Sequence, residues 1–164
     1  MISKTLQDAI NEQINKEYAS SYLYLSMAAY FENNGLPGSA NWMYAQSDEE
    51  REHAMKLYEY LIDRGGKVEL KAISAPQIDW KSAMDAFVAV YEHEQKVTKS
   101  IHDLYALAVK EQDYATQVTL QWFITEQVEE EKNALDIIEN MKRIEERETG
   151  ILMLDHRLAK RGKD

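Results

Sequence analysis

The 164-residue chain contains no cysteine. That excludes disulfides, thiolate nucleophiles and cysteine-based zinc sites. Two prolines and six glycines are all that punctuate it, so places to turn are few and long helices are expected between them. No run approaches the roughly 18 apolar residues of a membrane span, and no membrane partner is expected. The opening MISKTLQDAINEQ has no apolar stretch after Lys4, so no secretory signal is read there and a cytoplasmic location is expected. Positive charge is in the minority, with 19 Lys and Arg against 29 Asp and Glu and a net charge of −10. Phosphate-backbone binding needs clustered basic residues, so nucleic acid is not an expected partner. Excess negative charge keeps a protein soluble and attracts cations.

What is present is 45% apolar, enough for the core of one domain spanning residues 1–164. The breakers divide it into four long helices and a short one. The first is expected over about 5–33, with Thr5-x-x-Asp8 as a capping box. Asn33-Asn34-Gly35-Leu36-Pro37-Gly38 is a strong turn. The second runs over about 39–64 and stops at Gly65-Gly66. The third, capped by Asp79, covers about 80–110, and Gln112-Asp113 makes a tight connection. The fourth covers about 114–146, and a short last helix about 151–160. Helices far longer than the average of about 11–12 residues in one domain mean a bundle. The link from Gly65 to Asp79 reaches roughly 50 Å when extended at about 3.3 Å per residue. It can run the height of the bundle and leave helices two and three parallel. The expected fold is therefore all-α, a ferritin-like four-helix bundle with one long crossover and a short fifth C-terminal helix.

Tracing each apolar stripe at helical spacing exposes an anomaly. Helix one reads Leu6, Ile10, Ile14, then Glu17, then Tyr24, Ala28 and Phe31. Helix two reads Met43, Gln46, then Glu50 and His53, then Leu57 and Leu61. Helix three reads Trp80, Met84, Phe87, Val90, then Glu94, then Val97, Ile101 and Leu104. Helix four reads Leu120, Ile124, then Gln127 and Glu130, then Ala134, Ile137 and Met141. Each stripe breaks once, near mid-helix. Inward residues at mid-height of a bundle meet, so Glu17, Glu50, His53, Glu94, Gln127 and Glu130 are expected to converge. Buried carboxylates are costly and repel one another. No Lys or Arg lies at these inward positions, which leaves bound metal. Oxygen donors, one imidazole and no sulfur suit iron or manganese.

Di-iron bundles use one Glu from each of two helices and Glu-x-x-His from each of the other two. Glu17, Glu50-x-x-His53 and Glu94 fit. Helix four departs, with Gln127-x-x-Glu130 in place of a second Glu-x-x-His, so a second ion is expected to be held more loosely. A di-metal oxidoreductase acting on an organic substrate would use a similar centre, but the core appears in the stripes as filled by Leu, Ile, Phe and Tyr. A metal-free structural bundle would leave the buried acids unexplained.

Glu17-Tyr18-x-x-Ser21-Tyr22-x-Tyr24, Glu49-Glu50-Arg51-Glu52-His53-Ala54, Glu94 and Trp122-Phe123-x-x-Glu126-Gln127-x-x-Glu130 together resemble the prokaryotic non-haem ferritins over nearly the whole chain. The resemblance implies iron storage and detoxification. Fe(II) would be oxidised to Fe(III) by dioxygen or peroxide at a di-iron ferroxidase centre, then mineralised inside a homo-oligomeric shell of 24 chains. By resemblance the first iron takes Glu17, Glu50 and His53. The second takes Glu50 as a bridge, with Glu94 and Gln127. A third iron site has Glu49, Glu126, Glu129 and Glu130, and Tyr24 stands beside the centre as an electron donor. Trp122 is close by in the same pattern. Bacterioferritins resemble the chain too, but place a haem-ligating methionine between the Glu and His of helix two. Arg51 and Glu52 fill that gap here, so no haem is expected.

Overall fold

The structure, a computed structural model, describes residues 1–144 and 147–162. It comprises α1 (Lys4–Asn33), α2 (Pro37–Asp63), α3 (Ala83–Lys110), α4 (Tyr114–Ile144) and α5 (Glu148–Leu158). Long-range bonds give the directions. Ser21 Oγ donates to Ser47 O at 2.7 Å, while Ile2 N near the start of α1 reaches Arg64 O past the end of α2 at 3.3 Å. These two helices are therefore antiparallel. Gln127 reaches Glu94 and Gln117 reaches Ala108, so α3 and α4 are antiparallel as well. Between α1 and α3, Ser20 meets His93 and Gln13 meets Ser100, which is again antiparallel. It follows that α2 and α3 run parallel, joined by the crossover. That strand of chain lies along α1: Lys67 N donates to Gln7 Oε1, Glu69 N to Asn11 Oδ1, and Ser26 Oγ to Gln77 O, at 2.6 to 2.8 Å. No helix among the described residues is long and apolar enough to cross a membrane.

Helix ends differ from the sequence reading where a nearer cap wins. Ser3 Oγ accepts from Leu6 N at 3.1 Å, so α1 starts before the Thr5-x-x-Asp8 box. Ser82, not Asp79, caps α3 by accepting from Asp85 N at 3.1 Å. Trp80 therefore precedes the helix and the crossover is longer than expected. Pro37 opens α2, because the first helical position has no use for an N–H. The fifth helix begins at Glu148, earlier than 151. The expected extension of helix four to 146 falls on residues outside those described.

The core is split in two. One cluster contains Tyr24, Phe31, Met43, Phe87, Ile137 and Met141. The other contains Ile10, Ile14, Leu57, Ile101, Leu120 and Phe123. Every long helix contributes to both clusters, and Glu17, Glu50, Glu94 and Gln127 fall in the gap between them.

The short α5 is tied to α2 by charge. The start of α2 has no side-chain cap of its own. Buried Asp155 supplies one from α5, accepting from Gly38 N at 2.9 Å, Ser39 N at 2.6 Å and Ser39 Oγ at 2.8 Å. A carboxylate at a helix N-terminus also meets the positive end of its dipole. The approach needs glycine, since a Cβ at Gly38 would lie 1.8 Å from the Asp155 carbonyl oxygen. Asp155→Ala leaves buried donors unpaired and is expected to cost about 2 kcal/mol. Denaturant unfolding checks this; an unchanged midpoint would refute the cap.

Candidate metal centre

The side chains that interrupt the four stripes meet in the gap between the two apolar clusters. Glu17 comes from α1, Glu50 and His53 from α2, Glu94 from α3, and Gln127 and Glu130 from α4; all are buried. One ligand atom from each of Glu17, Glu50 and His53 lies within 4.8 Å of the others. His53 Nδ1 is 3.5 Å from Glu50 Oε2. A second group of the same kind joins His53, Glu126 and Glu130. His53 thus stands between two sets of carboxylates. Its ring is set edge-on to Trp122 at 5.3 Å and Phe123 at 6.1 Å.

The remaining donors are neutral. Gln13 Nε2 donates to Glu17 Oε1 at 2.7 Å. Gln46 Nε2 donates to Glu130 Oε2 at 2.8 Å and to Glu50 Oε1 at 3.3 Å. Gln127 Nε2 donates to Glu94 Oε2 at 3.1 Å and approaches Thr98 Oγ1 at 3.3 Å. The Tyr24 hydroxyl donates to Glu94 Oε1. Glu17 Oε2 and Glu50 Oε2 are buried with no hydrogen-bond partner. Two orphaned carboxylate oxygens on neighbouring helices, beside an imidazole, are what a cation would ligate. Lys16 reaches only as far as Ser100, at 2.8 Å, and Ser100 passes the contact to Gln13.

The electrostatics follow from that crowding. Burial, then the facing charge of Glu50, pushes the Glu17 carboxyl up to about 8. Burial, then Glu94, pushes Glu130 up to about 7. Burial followed by the charge of Glu94 raises Glu50 well above the usual carboxylate range. Glu94 is raised chiefly by burial, against the lowering effect of its bonds from Tyr24 and Gln127. Tyr24 is held well above its ordinary value by burial and by Glu94. Without a cation the centre can be neutralised only by protons.

The other expected site residues lie further out. Glu49 and Glu126 are half-buried; Glu129 is exposed on α4 and belongs to neither ligand group. Glu49 is ion-paired to Arg161 at 2.6 Å. Only helical spacing relative to the buried glutamates links part of the outer layer to the centre. Gln13 and Gln46 each precede a buried glutamate by four residues, and Thr98 follows Glu94 by four, the spacing at which helical side chains touch. Arg161 had no such signal, because it arrives from the C-terminal segment.

Protons held in the folded state set the pH dependence of the metal-free protein. Glu17 and Glu130 have raised folded-state values, so their contribution is fully present below the unfolded value of about 4.3 and is lost as pH rises through about 7 and 8. Chelator-treated protein is expected to lose on the order of a few kcal/mol between about pH 5 and pH 8. Glu17→Gln should flatten the slope, and a divalent cation should reverse it. Calorimetric scans across that range check this; a parent midpoint that rises with pH would contradict it.

The family described as a ferritin-like domain matches residues 7–144. The chain is 44% identical over 161 residues to a bacterial non-heme ferritin of Bacteroides fragilis, covering 98% of this chain and 100% of that one. It is 38% identical to a bacterial non-heme ferritin of Staphylococcus aureus, covering 98% and 97%. Among solved structures it is similar to an open-pore ferritin from the hyperthermophilic archaeon Archaeoglobus fulgidus. That match has a TM-score of 0.97 and 49% identity, covering 98% of this chain and 99% of the other. With a matching family over most of its length, a shared fold and relatives of this identity, the chain belongs to the ferritin family.

Proposed function

We propose that the chain is a ferroxidase that stores iron: it binds Fe(II) as its substrate, oxidises it in pairs, and passes Fe(III) to a mineral inside a shell. The observation that carries this reading is the Glu17, Glu50 and His53 cluster, with its orphaned oxygens, buried where four helices meet. The ferritin relatives support iron as the metal and storage as its fate. The archaeal ferritin neighbours support assembly, proposed here as 24 identical subunits. Action in the cytoplasm is part of the same reading.

In this proposal Glu17, Glu50 and His53 take the first ion. Glu50 bridges to a second, which Glu94 and the amide oxygen of Gln127 complete. Gln127 Nε2 already donates to Glu94, so its oxygen is the atom free to ligate. Glu49, Glu126, Glu129 and Glu130 form a third site; the His53, Glu126 and Glu130 grouping supports part of it. Oxygen-rich anionic ligation favours the ferric state, so the site itself drives oxidation. Each Fe(II) gives one electron. Dioxygen takes a pair with two protons to become hydrogen peroxide, or peroxide takes a pair with two protons to become two waters. The carboxyl groups that hold protons in the metal-free centre release them as cations bind. Tyr24, bonded to Glu94, is proposed as the substitute donor: where only one Fe(II) is bound it gives the second electron of the pair, its phenolic proton passing to Glu94.

A single histidine makes the two ions unequal. The second has one fewer nitrogen and an uncharged amide, so it is held more loosely, which suits a centre that turns its metal over.

Glu17→Ala or His53→Ala is expected to cut the initial rate of Fe(II) oxidation by at least an order of magnitude while shell assembly persists, as followed by stopped-flow absorbance and sedimentation. Parent-like oxidation in either variant would refute the site assignment. Aerobic addition of a large excess of Fe(II) tests storage separately. Iron that stays soluble in one large particle supports it. Oxidation that halts after a few ions per chain, with the rest precipitating, would mean a di-metal enzyme instead.

A further inference from the structure

The C-terminal segment sends one cation to the metal centre. Beyond α5, Asn41 Nδ2 donates to Arg161 O at 3.1 Å and Ala159 O at 3.5 Å, which fixes the backbone. The Arg161 guanidinium then lies over the Trp42 ring at 4.3 Å, and Nη1 donates to Trp42 O at 3.3 Å. Its Nη2 faces two acceptors, Gln46 Oε1 at 2.8 Å and Glu49 Oε2 at 2.6 Å. Resting on the reading of Glu49 as a ligand of a third metal ion, we propose that Arg161 is a built-in counter-cation of that site. It holds Glu49 and orients Gln46 until a metal ion displaces it.

Orientation comes first. An amide offers its oxygen on one side and its N–H groups on the other. Arg161 takes the Gln46 oxygen, so the Gln46 nitrogen must face inward, where it donates to Glu130 and Glu50. A residue from the tail thereby sets the hydrogen bonds of two buried carboxylates it does not touch.

Displacement comes second. Glu49 and Arg161 keep 43% and 19% of their side chains exposed. Such a partly exposed pair is weak, and a dication outcompetes it at a carboxylate. A metal ion on Glu49 would sit beside the guanidinium that Oε2 holds at 2.6 Å, and the repulsion of like charges favours the arginine's departure. The released arginine has somewhere to go, since it borders an open cleft of about 440 Å³ that also presents Asp136 and Asn140.

The test is equilibrium dialysis of assembled, metal-free protein against Zn(II), which cannot be oxidised, counting ions per chain in the parent and in Arg161→Gln, Arg161→Lys and Glu49→Gln. The expected result is that Arg161→Gln takes its third ion at about five-fold lower free Zn(II), or takes one where the parent takes none, a larger change than any at the first two ions. Arg161→Lys should stay near the parent, because its ammonium still neutralises Glu49. Glu49→Gln should lose the third ion. A third ion that Glu49→Gln weakens but Arg161→Gln leaves alone would overturn the proposal and keep Glu49 as a ligand. If parent and Arg161→Gln both stop at two ions, the reading of Glu49 fails and takes the proposal with it. Lysine behaving like glutamine would mean that Arg161 anchors the tail and does not compete. In the parent, the third ion should also shift Trp42 emission as the guanidinium leaves the ring, a shift missing in Trp42→Phe. Its absence from the parent would overturn the proposal even if Arg161→Gln failed to assemble.

Discussion

Four carboxyl groups from four helices are pressed into one buried layer, and their mutual repulsion and desolvation are what the rest of the molecule must balance. Glu17, Glu50, Glu94 and Glu130 are all buried, and the groups that donate to them are glutamine amides and one phenol. Neutral donors offset a fraction of the cost of a buried charge. Protons can neutralise the layer, and the raised values of Glu17 and Glu130 show that near neutral pH they do so in part. A pair of cations neutralises it better. On the proposed reading, a protein that keeps such a layer in the middle of its core trades stability of the metal-free state for metal affinity.

The architecture makes that trade survivable. Apolar clusters lie on both sides of the polar layer, and every long helix contributes to both. Each helix is thus anchored at its two ends while its middle carries a destabilising group. Helices of 27 to 31 residues serve this purpose; average ones would supply one anchor or the other. The crossover lying along α1 allows α2 and α3 to run parallel, so that Glu50 and Glu94 reach the same height from opposite pairs.

Much of this was legible in sequence because the signal was an absence of pattern at four matching places. Glu17, Glu50, His53, Glu94, Gln127 and Glu130 break apolar stripes, and the structure brings all six into one layer. Scarce glycine and proline located the turns. The helix starts were less legible, since Ser3 and Ser82 compete with equally plausible caps nearby and tertiary packing decides among them. Glu129 was reached by resemblance alone, and its exposed position adds nothing to that case. The outer layer was hidden for two reasons. Gln46 looks like a wetted stripe position until its partners are known, and Gln13 lies off the traced stripe of its helix. Arg161 lies far along the chain, and no periodicity connects α5 and its tail to α2.

That last contact changes how the absence of basic residues in the stripes is understood. The helices do exclude Lys and Arg from the buried layer, and a cation placed there permanently would compete with the metal. Among the described residues, the Arg161 guanidinium meets the centre at its edge, on half-exposed Glu49 and on the oxygen of buried Gln46. A charge at that depth can neutralise an outer carboxylate yet leave when a stronger cation arrives. One buried as deeply as Glu50 could not, because breaking a buried pair strands a charge. The depth of each acid therefore separates its proposed roles: Glu17 and Glu50, which no Lys or Arg among the described residues reaches, are the proposed metal ligands, while Glu49 lies where the protein's own arginine holds it.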